Sequence, residues 1–135
     1  MDNGPARRKK TAASIQKAGD RISDMMEIST IRREDYDITN GQSEYEDLMQ
    51  SFHLNPSDRA RGHQYPAAYL IRASGLDEHG INSKQPIPYT HIDMISAVSC
   101  PTQPPGTTPL MALTVRYVLP KLDSKVDFVP CACQK

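Results

Sequence analysis

Apolar residues gather in a few short stretches separated by charged or proline- and glycine-rich intervals. The densest stretch is 66–75, where Ala67, Ala68, Tyr69, Leu70, Ile71 and Ala73 follow Pro66 and run up to Gly75. Proline suits a first helical turn, whose N–H groups have no intrahelical acceptor, and glycine suits the left-handed stop. The pattern predicts a helix that is apolar on most faces and therefore buried. A second helix is predicted after Thr108 and Pro109, with Leu110, Leu113, Thr114, Tyr117 and Val118 as its apolar stripe and Pro120 closing it. A weaker helical pattern covers 12–18, with Gly19 as its C-terminal cap. Ser43 and Glu46 have capping-box spacing, and Tyr45, Leu48, Met49 and Phe52 continue it as a short amphipathic helix that Asn55-Pro56-Ser57-Asp58 ends.

Two segments read as extended, 25–28 and 89–95. In the second, Ile92 and Met94 fall on one face of a strand, while His91, Asp93 and Ile95 fall on the other. Residues 30–42 read as a charged surface connection ending at the Asn40-Gly41 turn, and 101–105 as a stiff proline loop. Helix, strand and helix in that order, without an internal repeat, give an α/β fold class.

Composition narrows the picture. A chain of 135 residues forms one modest domain at most. Its 16 Lys and Arg balance 16 Asp and Glu, so no net field draws it to nucleic acid or acidic lipid. No apolar run approaches the ~20 residues that span a bilayer, and no apolar leader follows Met1. Three cysteines make no disulfide framework and suit a reducing compartment, which gives the expectation of a cytoplasmic location. Aromatic residues are 6% of the chain, a composition that also suits a piece of a larger domain relying on neighbours for its core.

Candidate chemistry is sparse. His91 and Asp93 point the same way on the predicted strand, an arrangement open to a metal ion, to a carboxylate-oriented imidazole, or to a structural polar pair. Two ligands do not complete a zinc site, and the structural pair is the preferred reading. Cys131 and Cys133 form a Cys-x-Cys without a second ligand pair at zinc-finger spacing, and Cys100 reads as a small buried hydrophobe. Arg7, Arg8, Lys9 and Lys10 read as a solvated tail or helix end in preference to a nuclear signal or phosphate patch. No phosphate-binding glycine loop, nucleophile elbow or His-Glu-x-x-His is present in the sequence.

The run Gly62-His63-Gln64-Tyr65-Pro66-Ala67-Ala68-Tyr69-Leu70, followed by Pro88-Tyr89-Thr90-His91-Ile92-Asp93 and then Pro105-Gly106-Thr107-Thr108-Pro109, resembles the C-terminal part of the catalytic domain of the cytosol (leucyl) aminopeptidase family. Gly19-Asp20 resembles the family's Gly-Asp ahead of its next strand. The resemblance implies a partial three-layer α/β domain over 12–119, and the composition on either side of it reads as a basic tail over 1–11 and a poorly ordered tail over 120–135. It implies a hydrolase, a metallopeptidase that removes N-terminal residues from peptide substrates with two divalent cations, zinc or manganese. The family's liganding lysine and acidic residues, including an Asn-Thr-Asp-Ala-Glu-Gly-Arg block, have no counterpart in this sequence. The chain is therefore expected to bind no such ions alone and to be an inactive fragment. By position, Ile95 and Val98 match the wall of the family's specificity pocket, and His91 and Asp93 match a structural polar pair. The alternative is a non-catalytic interaction module that associates with full-length homologues or with a second copy, showing exposed apolar faces on the 66–75 and 109–119 helices.

Overall fold

The most apolar stretch of the chain is also its best-formed helix, α4 (Gln64–Ala73) in the computed structural model, which describes residues 1–50, 61–94 and 109–122. Gly75 ends the helix in the left-handed conformation, with φ 72°. Its N–H donates to the Arg72 carbonyl at 3.0 Å and that of Leu76 to the Ile71 carbonyl at 2.9 Å. This pair of bonds satisfies carbonyls that the last turn leaves free. The helix is buried on one face only. Gln64, Ala67, Ala68 and Ile71 face inward at helical spacing, while Leu70 is 45% exposed. Burial on most faces, as the apolar count predicts, is not reached, because the surrounding elements cover a single stripe.

By proximity the chain forms two units, Met1–Ala12 with Ser29–Asp93, and Ala13–Ile28 with Met94–Lys135. In the first unit, residues 1–8 are more than a polar extension. Asn3 caps α1 (Gly4–Arg8), its Oδ1 accepting the Ala6 N–H at 3.0 Å, with Pro5 in the first turn. The same oxygen accepts the Tyr89 N–H at 3.0 Å, and Nδ2 donates to the Ile87 carbonyl at 2.9 Å. Backbone bonds from Asn3 to Tyr89 (3.0 Å) and from His91 to Met1 (2.8 Å) set 89–91 antiparallel to 1–3. The predicted strand is thus an extended segment held through one isolated bridge, Asp2 to Thr90. Arg7 to Lys10 are exposed, as a solvated helix end requires.

The 30–42 connection contains a helix, α3 (Arg33–Asp37), that the charge pattern concealed. Asp35 in its first turn is 1% exposed, accepting the Arg32 N–H at 2.7 Å and both arms of the Arg61 guanidinium at 2.9 and 2.8 Å. Arg61 adopts φ 65° and also donates to the Thr30 carbonyl at 2.7 Å. At the other end of α3, Arg72 from α4 donates to the Tyr36 carbonyl at 3.1 Å and the Thr39 hydroxyl at 3.0 Å. A cation at the negative end of α3 binds carbonyls that have no partner within the helix.

The predicted helix beginning at Ser43 does not form through residue 50. Ser43 donates to Glu46 Oε1 at 3.3 Å, and that carboxylate also accepts the Gln42 N–H at 3.0 Å. The capping-box residues close a turn between the paired positions Asn40 and Leu48. Glycine is required at position 41, where a Cβ would lie 2.0 Å from the Glu46 carbonyl oxygen. Met49 is buried, but Tyr45 is 95% exposed, so a helix here would lack the apolar face that stabilises short helices.

The second unit holds most of α2 (Thr11–Asp20), which begins in the first, and a helix over 110–122. Ile15 and Ala18 supply the buried side of α2. Gly19 is helical and not a left-handed cap. A Cβ there would approach the Asp24 carbonyl oxygen to 2.2 Å and Ala112 Cβ to 3.3 Å, so close packing accounts for the glycine. The 110–122 helix is built from α5 (Leu110–Leu113), a π-turn (Thr114–Val118) and α6 (Leu119–Leu122). It continues past Pro120, contrary to the expected stop. The N–H of Leu119 reaches five residues back to the Thr114 carbonyl, a widened turn immediately before a residue with no N–H to donate. Its N-terminal cap comes from afar, since Asp24 Oδ2 accepts the buried Ala112 N–H at 2.8 Å.

Among the described residues, β-structure amounts to the bridges Asp2–Thr90 and Asn40–Leu48. No helix is long and apolar enough to cross a membrane.

Candidate functional site

Two elements of the first unit bring titratable groups together. His63 precedes α4 and Asp93 ends the extended segment that pairs with 1–3, and His63 Nδ1 lies 2.6 Å from Asp93 Oδ2. The carboxylate holds the imidazole in orientation through Nδ1. The His63 side chain is 65% exposed. Sequence reasoning paired Asp93 with His91 and missed His63. No local signal marks a partner 30 positions away.

His91 has a different neighbour. The Tyr89 hydroxyl lies 3.3 Å from His91 Nδ1, with ring centroids 6.5 Å apart. Burial pushes the His91 imidazole below its ordinary range, against the opposing pull of the Asp93 charge. Burial likewise raises the Tyr89 hydroxyl. The phenol and the imidazole thus satisfy one another as a polar contact within packing. Ile95 and Val98 lie outside the described residues, as do Cys100, Cys131 and Cys133.

A groove of about 380 Å³ opens along α4. Tyr65, Pro66, Tyr69 and Leu70 form one wall, with Gly62 at the approach and Thr39, Met49 and Gln50 opposite. Above α3, burial raises the Tyr36 hydroxyl, and the charges of Asp35 and Asp77 add to the effect.

Among the described residues no group of three or more His, Cys, Asp or Glu side chains converges. The best pair, His63 and Asp93, is closed on itself by a hydrogen bond that occupies Nδ1 and one carboxylate oxygen. A catalytic zinc alone asks for about three protein ligands. What the first unit offers is a carboxylate-oriented imidazole at His63 and, along α4, a groove lined largely by aromatic and apolar side chains.

Comparison with known proteins places this geometry in context. No family model matches the chain, and no solved structure matches it. A protein of Caenorhabditis elegans, named "Putative aminopeptidase W07G4.4", is 40% identical over 123 residues, which cover 89% of this chain and 23% of that protein. The chain thus spans about a quarter of the length of the relative it matches, and its sequence is related to that of an aminopeptidase-like protein.

Proposed function

We propose that this chain is the non-liganding part of a metal-dependent leucyl aminopeptidase, with the partial three-layer α/β fold of that family, and that the 135 residues alone are catalytically inactive. The observation that carries the reading is the match itself: 40% identity along 89% of this chain against 23% of the relative. Agreement over nearly the whole of a short chain and only a fraction of a long one is the signature of a part. The blocks that would grip two cations in the family are absent from this sequence. Without the ions, a scissile carbonyl has no Lewis acid to polarise it and water has nothing to lower its pKa. We assign His91 a packing role through Tyr89 and Asp93 a tethering role through His63, with Ile95 and Val98 as the pocket wall that a complete domain would use.

The purified chain, supplied with manganese or zinc, should release no leucine from leucine p-nitroanilide above the metal-only background. Its thermal melt should be unchanged by a chelator. Metal-dependent, saturable turnover by the chain alone would overturn the reading. A second reading, a non-catalytic interaction module, is favoured by the apolar exposure on the 110–122 helix, where Leu110 is 62% and Leu122 76% exposed.

A further inference from the structure

The 110–122 helix carries two unlike faces. Its inner face is fully committed within the second unit. Ala112 is 0% exposed, its N–H is held by Asp24, and Arg116 Nε donates to Ser14 Oγ at 2.9 Å. Away from that face four apolar side chains are uncovered, Leu110 62%, Met111 47%, Val118 46% and Leu122 76% exposed, beside the exposed Lys121 of the last turn.

A face meant for water carries charge at helical spacing. The 110–122 helix carries two charges, Lys121 in its last turn and Arg116, whose Nε donates to Ser14 and whose guanidinium lies 5.0 Å from the Tyr117 ring centroid. Contiguous apolar patches of more than a few hundred Å² are uncommon on stable monomers and mark interaction surfaces. The π-turn over Thr114–Val118 falls in the middle of this face, and such turns concentrate at functional positions.

We propose that this face is the seat for aminopeptidase polypeptide lying outside these 135 residues. The matched relative supplies the reason for choosing that occupant over a second copy: the match takes up 23% of its length, so a corresponding segment sits there within a chain about four times longer. Such a segment has more than three quarters of a polypeptide available to bury its apolar face, and the Leu110, Val118 and Leu122 face is built to be covered. This inference rests on the aminopeptidase reading above and adds to it the surface through which the part joins the whole.

The test grafts this chain in place of the matched segment of the Caenorhabditis elegans protein and compares the chimera with the isolated chain. L110E/V118E/L122E should lower the chimera's melting temperature by about 10 °C or more, or abolish its soluble yield, with L110A/V118A/L122A giving a smaller loss. In the isolated chain the same substitutions should move the melt by no more than about 2 °C and leave a monomer in sedimentation. A chimera indifferent to the substitutions overturns the proposal, as does a chimera that cannot fold in its wild-type form. An isolated chain that is a dimer and is dissociated by the glutamates assigns the face to a second copy and overturns it too. Leucine release by the isolated chain would defeat the inactivity reading while leaving the melting comparison to decide this one.

Discussion

Asn3 illustrates how one side chain ties distant parts of the first unit together. It caps α1, accepts from the Tyr89 N–H and donates to the Ile87 carbonyl, all from a position 6% exposed. Replacing it by alanine removes the cap and leaves buried backbone donors unpaired. We expect Asn3→Ala to cost about 2–3 kcal/mol, read as a shift in the urea midpoint; a change under about 0.5 kcal/mol, the scale of ordinary surface substitutions, would show that water takes over these bonds. The sequence reads as a basic tail over 1–11, so the cap at Asn3 comes from the structure. Its two long-range bonds were not legible either, because a lone amide gives no sign of the segment it will meet. His63 and Asp93 repeat the point: each was visible, and their 2.6 Å contact was not.

At the scale of elements, the outcome turns on what each one packs against. The 66–75 pattern produced a helix because cap, apolar stripe and terminal glycine agree with one another. Ser43 and Glu46 carry an equally good local signal, yet they close a turn, because helix formation there would leave Tyr45 and its neighbours without a surface to cover. Gly19 was read correctly as special and for the wrong reason. Its role is to admit the Asp24 carbonyl and Ala112 against α2, which fixes α2 to the 110–122 helix within the second unit. Gly19→Ala should therefore cost about 1–3 kcal/mol as overpacking, although alanine is the better helix former by ~1 kcal/mol. Thermal melts of the variant decide between the two, and stabilisation would mean that the backbone relaxes freely at this crossing.

Among the described residues of the whole molecule, the buried apolar side chains are mostly small: Ala6, Ala12, Ala67 and Ala68 with Met1, Met49 and Ile71 in one unit, Ala18 and Ala112 with Ile15 in the other, and no aromatic side chain is among them. With so little apolar burial, polar tethers such as Asp35–Arg61 matter more. Burial by itself would raise the Asp35 carboxyl, but the Arg61 hydrogen bonds, the Arg32 N–H and both guanidinium charges outweigh it and hold the group below the ordinary carboxylate range. Because the folded form binds its proton more weakly than the unfolded one, this contribution is complete above about pH 4 and fades as pH falls through the lower folded value. Melting temperature should accordingly fall as pH is lowered below about 4, and Asp35→Asn should be less stable at neutral pH with a flatter acid limb. An unchanged acid limb in the variant would place the acid sensitivity elsewhere.

The sequence alone determined where the strong helix lies, where it stops, the solvated basic run, and the kinship with an aminopeptidase, because these depend on neighbouring residues and on order along the chain. Tertiary structure decided the rest: that Asp35 is buried against Arg61, that Asp93 meets His63, that Ser43 and Glu46 close a turn, and that the 110–122 helix runs through Pro120 with one apolar face uncovered. Each of these is a meeting of segments far apart in the chain or a burial set by what surrounds the element. Local propensities of tenths of a kcal/mol per residue yield to the larger energies of packing and ion pairing once the chain is compact.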